Sequence, residues 1–191
     1  MIGDRWKDVR GLEQRQFCKT CQDGSVETMQ HIILECRANA RDLIWRKAEE
    51  HWPREWQEWP MITIGTIFGV GQISLPENRR QQNDEWTVAS TKTKGRTRLL
   101  QILISEASHL IWVLRCDRVI HKNNVQHTDQ EINARWTRAI NDRLTIDRIT
   151  ATKIQRDATF TRLVNATWQT VLKQQNIPYQ NWLHRREVFS G

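Results

Sequence analysis

The sequence predicts an all-α protein: a small N-terminal Cys/His zinc module followed by a helical bundle with one long central helix. Three observations carry that expectation. Three of the four cysteines and a histidine crowd into residues 18–36. Beyond residue 39, apolar residues recur at helical spacing in several separate stretches. The longest of these, roughly 97–122, is apolar around more than half its circumference, wider than a surface helix needs.

Taken in order, residues 4–17 read as a short helix or an irregular arm, with Trp6, Val9, Leu12 and Phe17 as its apolar points. Met29, Ile32 and Ile33 predict a short helix carrying His31. Asn39 to Trp52 reads as a helix that Pro53 stops. The segment from Met61 to Val70 is β-branched but holds Gly65 and Gly69, so helix and strand both stay open. Residues 72–95 lack periodicity and are expected to form an exposed loop, ending in the basic run Lys92, Lys94, Arg96 and Arg98. After the central helix, Thr128 and Glu131 have capping-box spacing and open a helix with Ile132, Trp136, Ile140 and Leu144 down one side. A last helix, about 154–175, carries Phe160, Leu163, Val164, Trp168, Val171 and Leu172. Pro178 closes it, and Trp182 is expected to dock the tail. The chain thus divides into 1–60, the zinc module with flanking helices; 61–96, a connecting segment with the basic loop; and 97–191, the bundle.

Composition narrows the function classes. Hydrophobic residues make up 38% of the 191, a modest share that ten Trp partly offset, since each buries a large apolar area. Mean hydropathy is −0.69, and no run approaches the roughly 20 apolar residues that span a bilayer. The N-terminus has no apolar signal region, so the expected location is intracellular, nuclear or cytoplasmic, without membrane association. Net charge is +7. Residues 1–60 hold ten Lys/Arg against eleven Asp/Glu, and residues 61–191 hold nineteen against eleven. The excess of cations beyond residue 60 suits an acidic partner such as nucleic acid.

The ligand spacing is Cys18-x2-Cys21-x9-His31-x4-Cys36. Two thiolates two residues apart can reach one ion from a tight turn, and a His and a Cys five apart can meet it from a short helix and its end. Three thiolates and one imidazole form a closed tetrahedral set, the structural type of zinc site with no position open for water. Binding there supplies about 10–16 kcal/mol to a segment with little core of its own.

These residues resemble a family. Cys18-Lys-Thr-Cys21, Glu27-Thr-Met-Gln-His31-Ile-Ile-Leu-Glu-Cys36 and Arg41-Asp-Leu-Ile-Trp45 are similar to the zinc-binding (CCHC) segment of non-LTR, LINE-type retrotransposon polyproteins. Ser105-Glu-Ala-Ser-His109-Leu-Ile-Trp112-Val-Leu-Arg115-Cys116 resembles the C-terminal tails of fungal members, as does the stretch from Arg135-Trp136 to Asp147-Arg148. The resemblance implies a position after a reverse transcriptase, often after a ribonuclease H domain, and a role in holding element RNA or target DNA. The sequence has no Asp-Asp polymerase pair, which fits a truncated copy.

The expected function is therefore a non-catalytic, zinc-stabilised nucleic-acid-binding accessory domain, with Lys92, Lys94, Arg96 and Arg98 touching phosphate and with no small-molecule substrate. The alternative is a structural or protein-interaction module without nucleic-acid affinity, whose helical face contacts other domains of a retroelement polyprotein or a host factor. Trp45, Trp112, Trp136 and Trp168 are assigned mainly to the core. Arg135, Arg138, Arg143 and Arg148 are read as solvated surface. His109 with Glu106 reads as a solvated helix pair, and Cys116 with His121 and His127 makes a poor second metal site.

Overall fold

The computed structural model describes residues 3–53, 55–56, 58–76, 86–153, 158–174 and 182–184. Five α-helices organise them: α1 (Asn39–His51), α2 (Ile64–Phe68), α3 (Trp86–Ile120), α4 (Asp129–Lys153) and α5 (Ala158–Gln174). Among the described residues there is no strand, only one antiparallel bridge, Phe17 with Val26. The chain is all-α.

α3 is central because its apolar residues cover more than half its circumference and meet three other helices. Leu99, Leu100, Leu103, Ile104, Ala107, Ile111 and Leu114 are buried to within a few per cent, and α1, α4 and α5 all pack on it. From Thr91 to Ile120 it is long and apolar enough to cross a bilayer, a property the composition had not suggested. Its apolar side chains belong to the common core. α4 presents Ile132, Trp136, Ile140 and Leu144 to that core, as their four-residue recurrence requires, and the stripe continues through Asp147 and Ala151. Thr128 caps α4 by accepting from the Glu131 N–H at 3.1 Å. The Glu131 carboxylate turns to Lys122, His127 and Arg135.

One buried carboxylate joins three helices. Asp147 of α4 receives both guanidinium nitrogens of Arg98 of α3 at 2.6 Å and the indole N–H of Trp168 of α5 at 2.7 Å. Arg98 also reaches Thr167 Oγ1 at 3.4 Å. A two-pronged pair of this kind fixes the register of the helices as well as neutralising the charge.

The expected loop over 72–95 differs from the structure. Residues 77–85 lie outside those described, but 86–95 are the opening turns of α3. Within those turns Gly95 is buried against α5. A Cβ at Gly95 would sit 2.6 Å from the backbone carbon of Ala166, so the glycine allows a close helix crossing. The 61–70 ambiguity resolves as helix: Thr63 caps α2, with Thr66 answering in a reciprocal capping box. Pro178 and residues 154–157 of the expected last helix lie outside the described residues. Trp182 is buried and donates to Asn165 Oδ1 at 2.9 Å.

Candidate metal centre

Four side chains meet under the N-terminal segment. Cys18, Cys21, His31 and Cys36 are buried, and their ligand atoms lie within 4.8 Å of one another. Cys18 Sγ is 3.7 Å from Cys36 Sγ, Cys21 Sγ is 3.9 Å from Cys36 Sγ, and Cys21 Sγ is 3.4 Å from His31 Nε2. The cluster could hold a metal ion.

Local structure explains how residues so spread in sequence converge. The chain leaves Phe17, turns through the two cysteines and returns at Val26, where the single bridge closes the loop. Gln22 (φ 55°) and Gly24 (φ 80°) take the left-handed conformations that the tight turn needs. The Cys18 N–H donates to the Ser25 carbonyl at 2.8 Å. The second pair sits on a π-helical turn, His31–Glu35. On an α-helix, residues five apart point about 140° away from each other. In the π turn the Cys36 N–H bonds back five residues to the His31 carbonyl at 2.6 Å, and both ligands face the same centre.

α1 holds that widened turn in place. Arg41 donates to the carbonyls of Cys36 (2.5 Å) and Leu34 (3.0 Å), and the Trp45 indole donates to the carbonyl of Ile33 (2.9 Å). The Arg-Asp-Leu-Ile-Trp stretch after the last ligand thus satisfies carbonyls that a π turn leaves at its end. Around the ligands, the Arg37 N–H donates to Cys21 Sγ at 3.4 Å. Glu35 lies 3.8 Å from His31 Nδ1, on the ring nitrogen away from the cluster. A carboxylate in that position orients a ligating imidazole.

The thiols share protons unequally. The Cys36 thiol beside it holds Cys18 down to about 4 from an ordinary 9.0, against the opposing effect of burial. Cys36 is driven up by the same contact with Cys18 and by burial.

The module is locked onto the far end of α3. Glu27, itself buried, forms a two-pronged ion pair with Arg115, and Arg118 donates to Thr20 Oγ1. Asn39 donates to the His127 carbonyl at 2.7 Å. These partners are 88–98 residues apart in sequence. Sequence reasoning missed Arg115 and Arg118. The available signal was two arginines three apart on an apolar helix, opposite a glutamate inside the ligand segment.

The basic run divides. Lys92 and Lys94 are exposed, while Arg96 lies over the Trp56 ring at 5.0 Å and Arg98 is held by Asp147. At 100° per residue, Lys92 and Arg96 share one side of α3, and Lys94 and Arg98 the other. The four do not form one loop-borne patch, because the segment is helical and one member serves the core. Trp136 and Trp168 are fully buried, with Trp45 and Trp112 packed at the core's edge. His109 and His121 are exposed, and Arg138 is solvated, whereas Arg135 pairs with Asp117 and Glu131.

No family model, curated protein or solved structure matches the chain.

A second grouping, Asp117, His127 and Glu131, also converges. Lys122 and Arg135 already stand between these groups, at 2.8 Å and 2.9 Å from Glu131. The His127 Nε2 faces the Leu114 carbonyl at 3.1 Å. Protein cations fill the place an ion would take, and the grouping is an ion-pair network at the α3–α4 turn.

Proposed function

We propose that this protein is a non-catalytic, zinc-stabilised accessory domain that binds nucleic acid, of the type carried by non-LTR retrotransposon polyproteins. The observation that carries the zinc assignment is the ligand geometry. A tetrahedron with Zn–S near 2.3 Å and Zn–N near 2.05 Å has S···S edges of about 3.8 Å and S···N edges of about 3.5 Å. Three of the six edges here are 3.7, 3.9 and 3.4 Å, and all six lie within 4.8 Å. A Cys3His set leaves no ligand position for substrate, so the ion would act as a structural clip and supply folding energy. Support for nucleic acid comes from the cation excess beyond residue 60 and from the resemblance of the ligand segment.

The test has two arms. Purified protein should contain one zinc per chain, and Cys36→Ser should lose both the zinc and the fold of the N-terminal segment. The wild type should then bind an RNA or DNA oligonucleotide with an affinity that falls steeply as salt rises. Metal-free, folded wild type would refute the zinc clip, and absence of binding at physiological salt would refute the nucleic-acid reading.

A second reading, a protein-interaction module, is favoured by one observation. Met61 and Phe68, flanking and ending α2, are 85% and 74% exposed. This reading predicts that Phe68→Ser weakens association with a neighbouring polyprotein domain while oligonucleotide affinity stays absent.

A further inference from the structure

A groove rich in cations lies between the N-terminal turns of α3 and the outer face of α5. It encloses about 480 Å³. Lys92 and Arg96 line one wall, Arg162 and Lys173 the other, and Glu55 is the one carboxylate among the described lining residues. Its floor is the close crossing at which Gly95 meets Ala166. On α5, Arg162, Gln169 and Lys173 share one face of the helix along the groove, with Ala166 between them at the crossing. Asn165 and Gln169 add amide groups beside the cations.

One wall also carries a planar surface. Arg96 stacks over the Trp56 ring, and Trp56 packs edge-on against the buried Trp52 at 5.1 Å. A guanidinium on a braced indole offers a flat, cationic platform flanked by Lys92. Phosphate ligands alternating with a stacking surface match a backbone whose bases are unpaired. In a duplex the bases are stacked inside and cannot reach such a platform.

We infer that the α3–α5 groove is a binding site for single-stranded nucleic acid, with Lys92, Arg162 and Lys173 on phosphates and the Arg96–Trp56 stack under a base. This rests on the nucleic-acid reading above and names its surface and its ligand. The divided basic run then has two jobs: Lys92 and Arg96 face the groove, and Arg98 holds the bundle together.

The test is fluorescence anisotropy with a labelled oligo(U) strand and a duplex of equal length, using the full chain. Lys92→Gln/Arg162→Gln removes two exposed groove cations. Lys94→Gln/Arg138→Gln removes two exposed cations from elsewhere. The groove variant should lose about tenfold or more in affinity, and its salt slope should drop by about 1.4, two phosphates at about 0.7 each. The control should lose less than about threefold, and the duplex should bind more weakly than the strand. Arg96→Lys, which keeps the charge but not the planar fork, should weaken the strand selectively.

Equal losses in the two double variants, or tighter binding of the duplex, would overturn the groove assignment and leave nucleic-acid binding standing. No binding of either probe by the wild type would overturn both. Matching circular dichroism melts of the wild type and both double variants would exclude unfolding as the cause.

Discussion

Replacing Gly95 with alanine separates two effects of opposite sign. In an exposed helix interior, Gly→Ala is stabilising by about 1 kcal/mol, because alanine has less backbone freedom to lose. At Gly95 the added Cβ would lie 2.6 Å from the Ala166 carbonyl carbon and 2.7 Å from both its Cβ and its oxygen. Carbon–carbon contacts settle near 3.5–4.0 Å, so α5 must retreat by roughly 1 Å. Backbone atoms block the way, and no flexible side chain can yield. Overpacking of this kind costs about 1–3 kcal/mol, and the retreat also loosens Leu99, Val164 and Trp168, which have no exposed surface. The net expectation is a loss of about 1–2 kcal/mol, a Tm fall of about 3–6 °C in a chain of this size. Gly65 supplies the control: in α2, the nearest atom to its added Cβ is Thr63 Oγ1 at 3.6 Å, an ordinary contact. Gly65→Ala should be neutral or raise Tm. Urea and thermal unfolding of the two variants decide the matter. A Gly95→Ala protein as stable as wild type, or more so, would show that α3 and α5 do not cross there.

Three further expectations follow from the buried polar contacts. Asp147→Asn leaves Arg98 buried without its counter-charge and should cost about 3–5 kcal/mol, measured as a shift in urea midpoint; Arg98→Met/Asp147→Leu should recover much of that. Glu131 is held at about 2, down from 4.5, by Lys122 and His127. A depressed carboxylate stabilises the fold above its unfolded value and loses that contribution as pH falls through about 4.5 to about 2, so Glu131→Gln should flatten the acid limb of stability against pH over that window. Its exposure keeps the effect modest. Glu27→Gln should loosen the Cys/His module from α3 without removing any of its four candidate ligands; hydrogen exchange should rise over residues 3–28 while metal content matches that of the wild type, and unchanged protection would refute the Glu27–Arg115 lock.

Much of this architecture was legible because it rests on local periodicity. The four-residue series from Ile132 to Leu144, the capping Thr128 and the crowded apolar stretch of α3 each state their structure in the sequence. The ligand set was legible for a similar reason, since chemistry limits what three Cys and one His at that spacing can do. What failed was the opening of α3. Its polar residues and Gly95 read as a loop, because the benefit of glycine appears only when α5, some seventy residues later, is in place. The Arg98–Asp147–Trp168 junction and the Glu27–Arg115 pair were hidden for the same reason. A charged residue on a helix looks solvated until its distant partner is known.

The length of α3 has a mechanical consequence. At 1.5 Å per residue, the 23 steps from Lys92 to Arg115 form a rod about 35 Å long. Its first turns build one wall of the basic groove, and its last turns carry the Cys/His module. The spacing of these two ends is therefore set by helix geometry, and changes in the length of the surface loops leave it untouched. A kink in the middle of the rod, for example a proline at Ser105 on its exposed side, would swing one end against the other while altering no residue at either. The fold thus carries the groove and the Cys/His cluster at opposite ends of a single beam, with α1, α4 and α5 packed along it.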